Sequence, residues 1–193
     1  MDDFILYFKM GLTHVLDFSA YDHILFLIVL AVIFTNFQWR KVIWLVTLFT
    51  LGHSITLALS AYKILEVRMD LIEFLIPLTI FITGLINIIN AKKEANKSGN
   101  INLILALFFG LIHGLGFSNY FKMMIMGAED KLAPLLGFAG GIEISQVIIV
   151  LLVLVLAYVV QTILKVKQSI FILVGSILII LITLPLLYET FPF

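Results

Sequence analysis

Hydropathy along the chain alternates between long apolar runs and short polar breaks. Six runs, about 20–36, 41–61, 71–90, 101–119, 134–160 and 169–188, have the length of a membrane-crossing helix, which needs roughly 20 residues at 1.5 Å rise each. Backbone groups find no water inside lipid, so each run is expected as a helix. A shorter stretch, 4–16, is expected as an interfacial or re-entrant helix against the bundle. The breaks "NFQWRK", "YKILEVRMD", "AKKEANKSGN", "SNYFKMMIMGAEDKLA" and "KVKQS" are short enough to join sequential neighbours. The pattern predicts an all-α polytopic membrane helix bundle, six transmembrane helices plus the short N-terminal one, as a single transmembrane domain over 1–193. No self-similarity with a period of 20–50 residues stands out.

Composition fixes the solvent. Hydrophobic residues make up 62% of the chain and charged ones 12%, against about half and a quarter in soluble domains, so the bilayer is the expected partner. The formal net charge is zero; no basic face speaks for nucleic acid, and a homo-oligomer is compatible with the composition. No cysteine is present, which excludes thiolate metal sites and cysteine nucleophiles. The start "MDDFILYFKMG" lacks a basic n-region and a small-residue cleavage pattern and is expected to belong to the mature protein. With the N-terminus outside, inner loops hold Arg40, Lys41, Lys92, Lys93, Lys97, Lys165 and Lys167, against Lys9, Lys63, Arg68, Lys122 and Lys131 outside. That excess favours both termini outside, in a bacterial inner membrane.

The scarce ionisable groups are not scattered. His14, His23, His53 and His113 lie in or beside apolar runs, as do Asp22, Glu73 and Glu143, where such groups are functional candidates. Counted along alternating spans, His23 and Glu73 open their helices at the outer side, His53 and His113 fall late in outward-running helices, and Glu143 early in an inward-running one. The outer leaflet half therefore collects them all. His14, with Asp17 one turn on, joins if the first helix folds to that side. Imidazoles with carboxylates suit Ni²⁺, Zn²⁺, Fe²⁺ or Co²⁺, whereas an all-oxygen site has no need of histidine.

Plainer roles compete. A single membrane histidine often only ties helices together, and Asp22 and Glu73 stand where helix caps stand. Gly110 with Gly114, and Gly137 with Gly141, form small-xxx-small pairs that serve close helix packing in any case. Thr50, Ser54 and Gln146 add polar groups near the histidine layer, while Thr47, Thr83, Asn87 and Asn90 are a sparse lining for the other half.

The pieces "HVLDFSAYDHILFL", "TLFTLGHSITLALS", "LIEFLIPLTI", "FFGLIHGLGF" and "GFAGGIEISQ", spread over about 11–147, resemble the HupE/UreJ family of hydrogenase and urease accessory membrane proteins. The closer likeness is to a short, divergent branch: seven residues, Val15 to Tyr21, separate the first histidine from the Asp-His pair. The resemblance implies a six-helix nickel permease with His14, Asp22, His23, His53, His113 and Glu143 as metal-handling positions.

Three functions follow as expectations. A divalent-metal permease, nickel-like, binds at the outer cluster, and proton competition weakens uptake as pH falls through about 6.5. An intramembrane zinc hydrolase uses the same cluster, with Asp22, Ser54 and Glu143 as its catalytic groups. A structural membrane protein uses the histidines only to join helices.

Overall fold

The computed structural model describes residues 2–17, 21–35, 38–92, 99–128 and 130–192. Seven α-helices account for nearly all of them: α1 (Asp2–Val15), α2 (Asp22–Ala31), α3 (Trp39–Ala61), α4 (Met69–Asn90), α5 (Gly99–Met124), α6 (Leu132–Tyr158) and α7 (Gln168–Glu189). A single π-helical turn, Val159–Ile163, closes α6. The all-α membrane bundle is as expected, but the number of long spans is not. Five helices, α3 to α7, are long and apolar enough to cross a membrane, whereas α2 has ten residues.

Ten residues rise about 15 Å, half of a hydrocarbon core. Past Ala31 the backbone over 32–34 turns, with Val32 N–H donating to Ile28 O and Phe34 N–H to Ala31 O. Phe34 is 2% exposed. Non-helical backbone is tolerated at membrane depth where protein covers it, and hydropathy does not distinguish such a run from a full span.

Helix directions follow from the contacts. Lys131 Nζ donates to Ala61 O (2.9 Å), which puts the α3–α4 and α5–α6 connections on one face. That face also carries the start of α1 and the end of α7 and is termed the terminal face. On the opposite face, Gln168 Nε2 donates to Ile33 O (2.9 Å). α1 runs parallel to α6, since Phe4 faces Gly137 and Phe8 faces Gly141. α3 runs parallel to α5, with Phe49 at Gly110 and His53 at Gly114. Both pairs meet backbone to backbone, which only glycine allows: a Cβ at Gly11, Gly52, Gly110 or Gly141 would strike a carbonyl of the partner helix. The first helix thus lies lengthwise on a long span, where an interfacial or re-entrant position had been expected.

α2 sits between these pairs and the antiparallel α4 and α7. Asn87 Nδ2 of α4 donates to Val29 O (2.6 Å), and Val32 packs on Gly175 of α7. Outward faces are apolar, for example Trp44, Leu51 and Ile55 on α3 and Leu152 and Val155 on α6.

Candidate metal centre

His14, His53 and His113 each bring their ring close to that of His23 on α2. His14 occupies the last turn of α1, a helix end whose dipole favours cations. His23 follows Asp22 in the first turn of α2. His53 and His113 stand on the zipped α3–α5 pair. Ring centroids lie 4.7 Å apart for His14 and His23, 6.1 Å for His23 and His53, 6.2 Å for His14 and His53, and 5.4 Å for His23 and His113.

One nitrogen from each of His14, His23 and His53 lies within 4.8 Å of the other two. Two nitrogens bound to one ion at about 2.1 Å each are at most about 4.2 Å apart, so small ring rotations complete a shared site. The hydrogen bonding leaves the inner nitrogens ready for it. Nε2 of His14, His23, His53 and His113, and also Nδ1 of His53, are buried without a hydrogen-bond partner. Leaving such a group buried and unpaired costs about 1–3 kcal/mol, and five of them meet in one cluster. A cation that accepts nitrogen lone pairs would satisfy them.

Two of the rings are oriented from behind. His113 Nδ1–H donates to Phe109 O (2.9 Å), which leaves Nε2 with its lone pair in the neutral tautomer. His23 Nδ1 donates to Asp22 Oδ1 (3.3 Å), the carboxylate–histidine arrangement that strengthens a metal-ligating imidazole. Asp22 thus stands behind a histidine, outside the group of three nitrogens.

Glu143 has different company. Its Oε1 accepts from Thr47 Oγ1 (2.6 Å) and its Oε2 from Thr50 Oγ1 (2.5 Å), and Thr50 Oγ1 also lies 3.2 Å from Gln146 Oε1. Thr50 precedes His53 by about one turn of α3, so this oxygen cluster lies beside the histidines toward the opposite face. Ser54 Oγ is buried with no hydrogen-bond partner.

The residues that cage the site were not singled out in the sequence. Phe117 lies 3.9 Å from the His14 ring and stacks on Phe138 at 5.0 Å and 5°, while Phe49 lies 5.1 Å from His113. Their only signal was position, as the last residue of "GLIHGLGF" and beside the glycines of "GFAGG". A cavity of about 780 Å³ reaches His14 from the terminal side, lined also by Met10, Thr13, Asp17, Tyr120 and Met124. A second, of about 420 Å³, reaches Asp22 past Tyr21 and Glu73. Asp17 and Glu73 therefore stand at two approaches to the cluster.

A family model described as HupE / UreJ protein matches residues 1–190. The chain belongs to the HupE/UreJ family. No curated protein and no solved structure gives a significant match. In this HupE/UreJ protein the five sequence pieces that carry the family likeness contribute all four histidines, Asp22 and Glu143, and the fold gathers the histidines into one layer between α1, α2, α3 and α5.

Proposed function

We propose that this protein moves a divalent transition-metal cation across the membrane, binding it through His14, His23 and His53. Asp22 orients His23, and His113 supplies a fourth nitrogen as the ion shifts within the cluster. The observation that carries this reading is the convergence of three imidazoles from three separate helices with their inner nitrogens buried and unpaired. The family likeness points to Ni²⁺ as cargo; the donor set also suits Zn²⁺, Fe²⁺ and Co²⁺. Glu143, with Thr47 and Thr50, offers oxygen donors further inward, as a conducting pathway with more than one weak station requires. The lysine and arginine distribution favours termini outside, which would make the 780 Å³ cavity the outer approach.

The test has two arms on one purified sample. Close to one transition-metal ion per chain is expected after loading, together with metal flux into proteoliposomes. Protein that takes up neither Ni²⁺ nor Zn²⁺ would overturn the metal reading. Tightly retained Zn²⁺ without flux would favour the hydrolase with Asp22, Ser54 and Glu143; both carboxylate oxygens of Glu143 already accept threonine hydroxyls, which speaks against that base.

A further inference from the structure

Two stretches of the sequence are alike. "GLTHVLDF" at 11–18 and "GLIHGLGF" at 110–117 agree at five of eight positions, and "FTLGHSIT" at 49–56 and "FAGGIEIS" at 138–145 share Phe, Gly and Ile and end in Thr and Ser. The spacing lies far outside the periods of short repeats and escapes a search for them. The backbone contacts reproduce the correspondence atom by atom. Gly11 faces the carbonyl of Phe138, and Gly110 that of Phe49; Gly141 faces Phe8 O, Leu12 N and Gly11 C, and Gly52 faces Leu107 O, Leu111 N and Gly110 C. Ser145 donates to Gly141 O as Thr56 does to Gly52 O.

The α1–α6 pair therefore matches the α5–α3 pair, and the two pairs run in opposite directions. α4 and α7 lie antiparallel to one another, Gly84 against Ile180 and Phe74 against Phe191, as mates across the same axis would. These are the marks of inverted-topology repeats, whose exchange of conformation carries a site from one side to the other. His14 and His113 are mates, and the cluster lies at the repeat interface.

The halves differ in one respect. α5 runs on from His113 to Met124, whereas α1 stops at Val15, directly after His14, and α2 follows as a separate helix. Phe26 of α2 is fully buried, with its ring 5.1 Å from His113, 4.9 Å from Phe49 and 5.7 Å from Phe109. Those three residues are the mates of His14, Phe138 and Met10, which line the open 780 Å³ cavity. Where the terminal side is open, Phe26 fills the equivalent place. Beyond it, toward the opposite face, the cavity lined by Leu30, Asn87, Asn102 and Phe109 among the described residues measures about 10 Å³.

We infer that the chain is an inverted repeat working by alternating access, captured open to the terminal face, with Phe26 of α2 as the plug of the opposite side. The inference deepens the metal-carrier reading and rests on it. Withdrawal of Phe26 opens His113 to the opposite face while the cavity at His14 closes.

The chain contains no cysteine, so single cysteines report access directly. In oriented proteoliposomes, Met10→Cys is expected to react with a membrane-impermeant maleimide from the terminal side and Phe109→Cys not to react. With Phe26→Ala added, Phe109→Cys is expected to react at least tenfold faster, from the opposite side only, and Met10→Cys severalfold more slowly. Phe26→Leu, run alongside in case the alanine variant misfolds, is expected to shift both rates the same way by less. A Phe109 thiol that stays unreactive in folded Phe26 variants, or reacts from the terminal side, overturns the plug. Gain at Phe109 with no loss at Met10 means a passive pore and overturns alternating access. Metal content measured on the same samples separates these outcomes from a failure of the carrier reading.

Discussion

His53 is fully buried and neither ring nitrogen has a partner, a placement that lowers stability unless a ligand completes it. His53→Leu is therefore expected to abolish metal uptake while leaving the metal-free protein as stable as the parent or more so, measured by thermal unfolding with and without Ni²⁺. A variant that keeps its metal would remove His53 from the ligand set. Asp22 acts one bond further out, on Nδ1 of His23, so Asp22→Asn is expected to weaken metal affinity by about 10–100-fold without eliminating it. Titration by isothermal calorimetry checks this, and an unchanged affinity would show that the carboxylate does not tune the ring. At this scale the sequence was informative: alternation alone put His23, His53 and His113 in one leaflet half, with His14 joining them on the condition that the first helix folds to that side. Asp22's orientation toward a ring and Glu143's pairing with Thr47 and Thr50 were not readable, because they depend on rotation about helix axes, which hydropathy does not specify.

Two helix pairs, α1 with α6 and α3 with α5, are held at backbone contact by glycines. Added methyl groups in close-packed contacts cost about 1–3 kcal/mol even where side chains can yield, and here the obstacle is backbone. Gly110→Ala, which meets Phe49 O, and Gly11→Ala, which meets Phe138 O, are both expected to lower the unfolding temperature in detergent by several degrees. Gly140→Ala is the control, since its nearest neighbour is the Phe8 ring at 3.4 Å. Equal melting of all three would mean that the pairs are not tightly zipped. The small-xxx-small spacing was visible in the sequence; which helix met which was not. Length misled twice: the apolar run over 20–36 concealed the end of α2 at Ala31, and the stretch 4–16, too short to cross, reads as interfacial or re-entrant although Gly11, Gly137 and Gly141 seat α1 against α6.

Across the whole molecule, the proposed ligands tie together elements that otherwise touch little: His14 on α1, His23 on α2 and His53 on α3. An ion bound there links the α1–α6 pair, the α2 plug and the α3–α5 pair, and none of those links survives in the unfolded chain. Binding to the folded state alone stabilises it by RT ln(1 + [L]/Kd), about 2.7 kcal/mol at a hundred times Kd. The unfolding temperature is therefore expected to rise steadily with the logarithm of metal concentration above Kd. A structural role for the histidines predicts no such slope, since rings that only pack helices together would gain nothing from an ion. His53→Leu sets the baseline, because its slope is expected to vanish while its metal-free transition remains. If the parent and His53→Leu respond alike to Ni²⁺ and Zn²⁺, the ion is binding elsewhere on the chain and the histidine layer holds the helices for another reason.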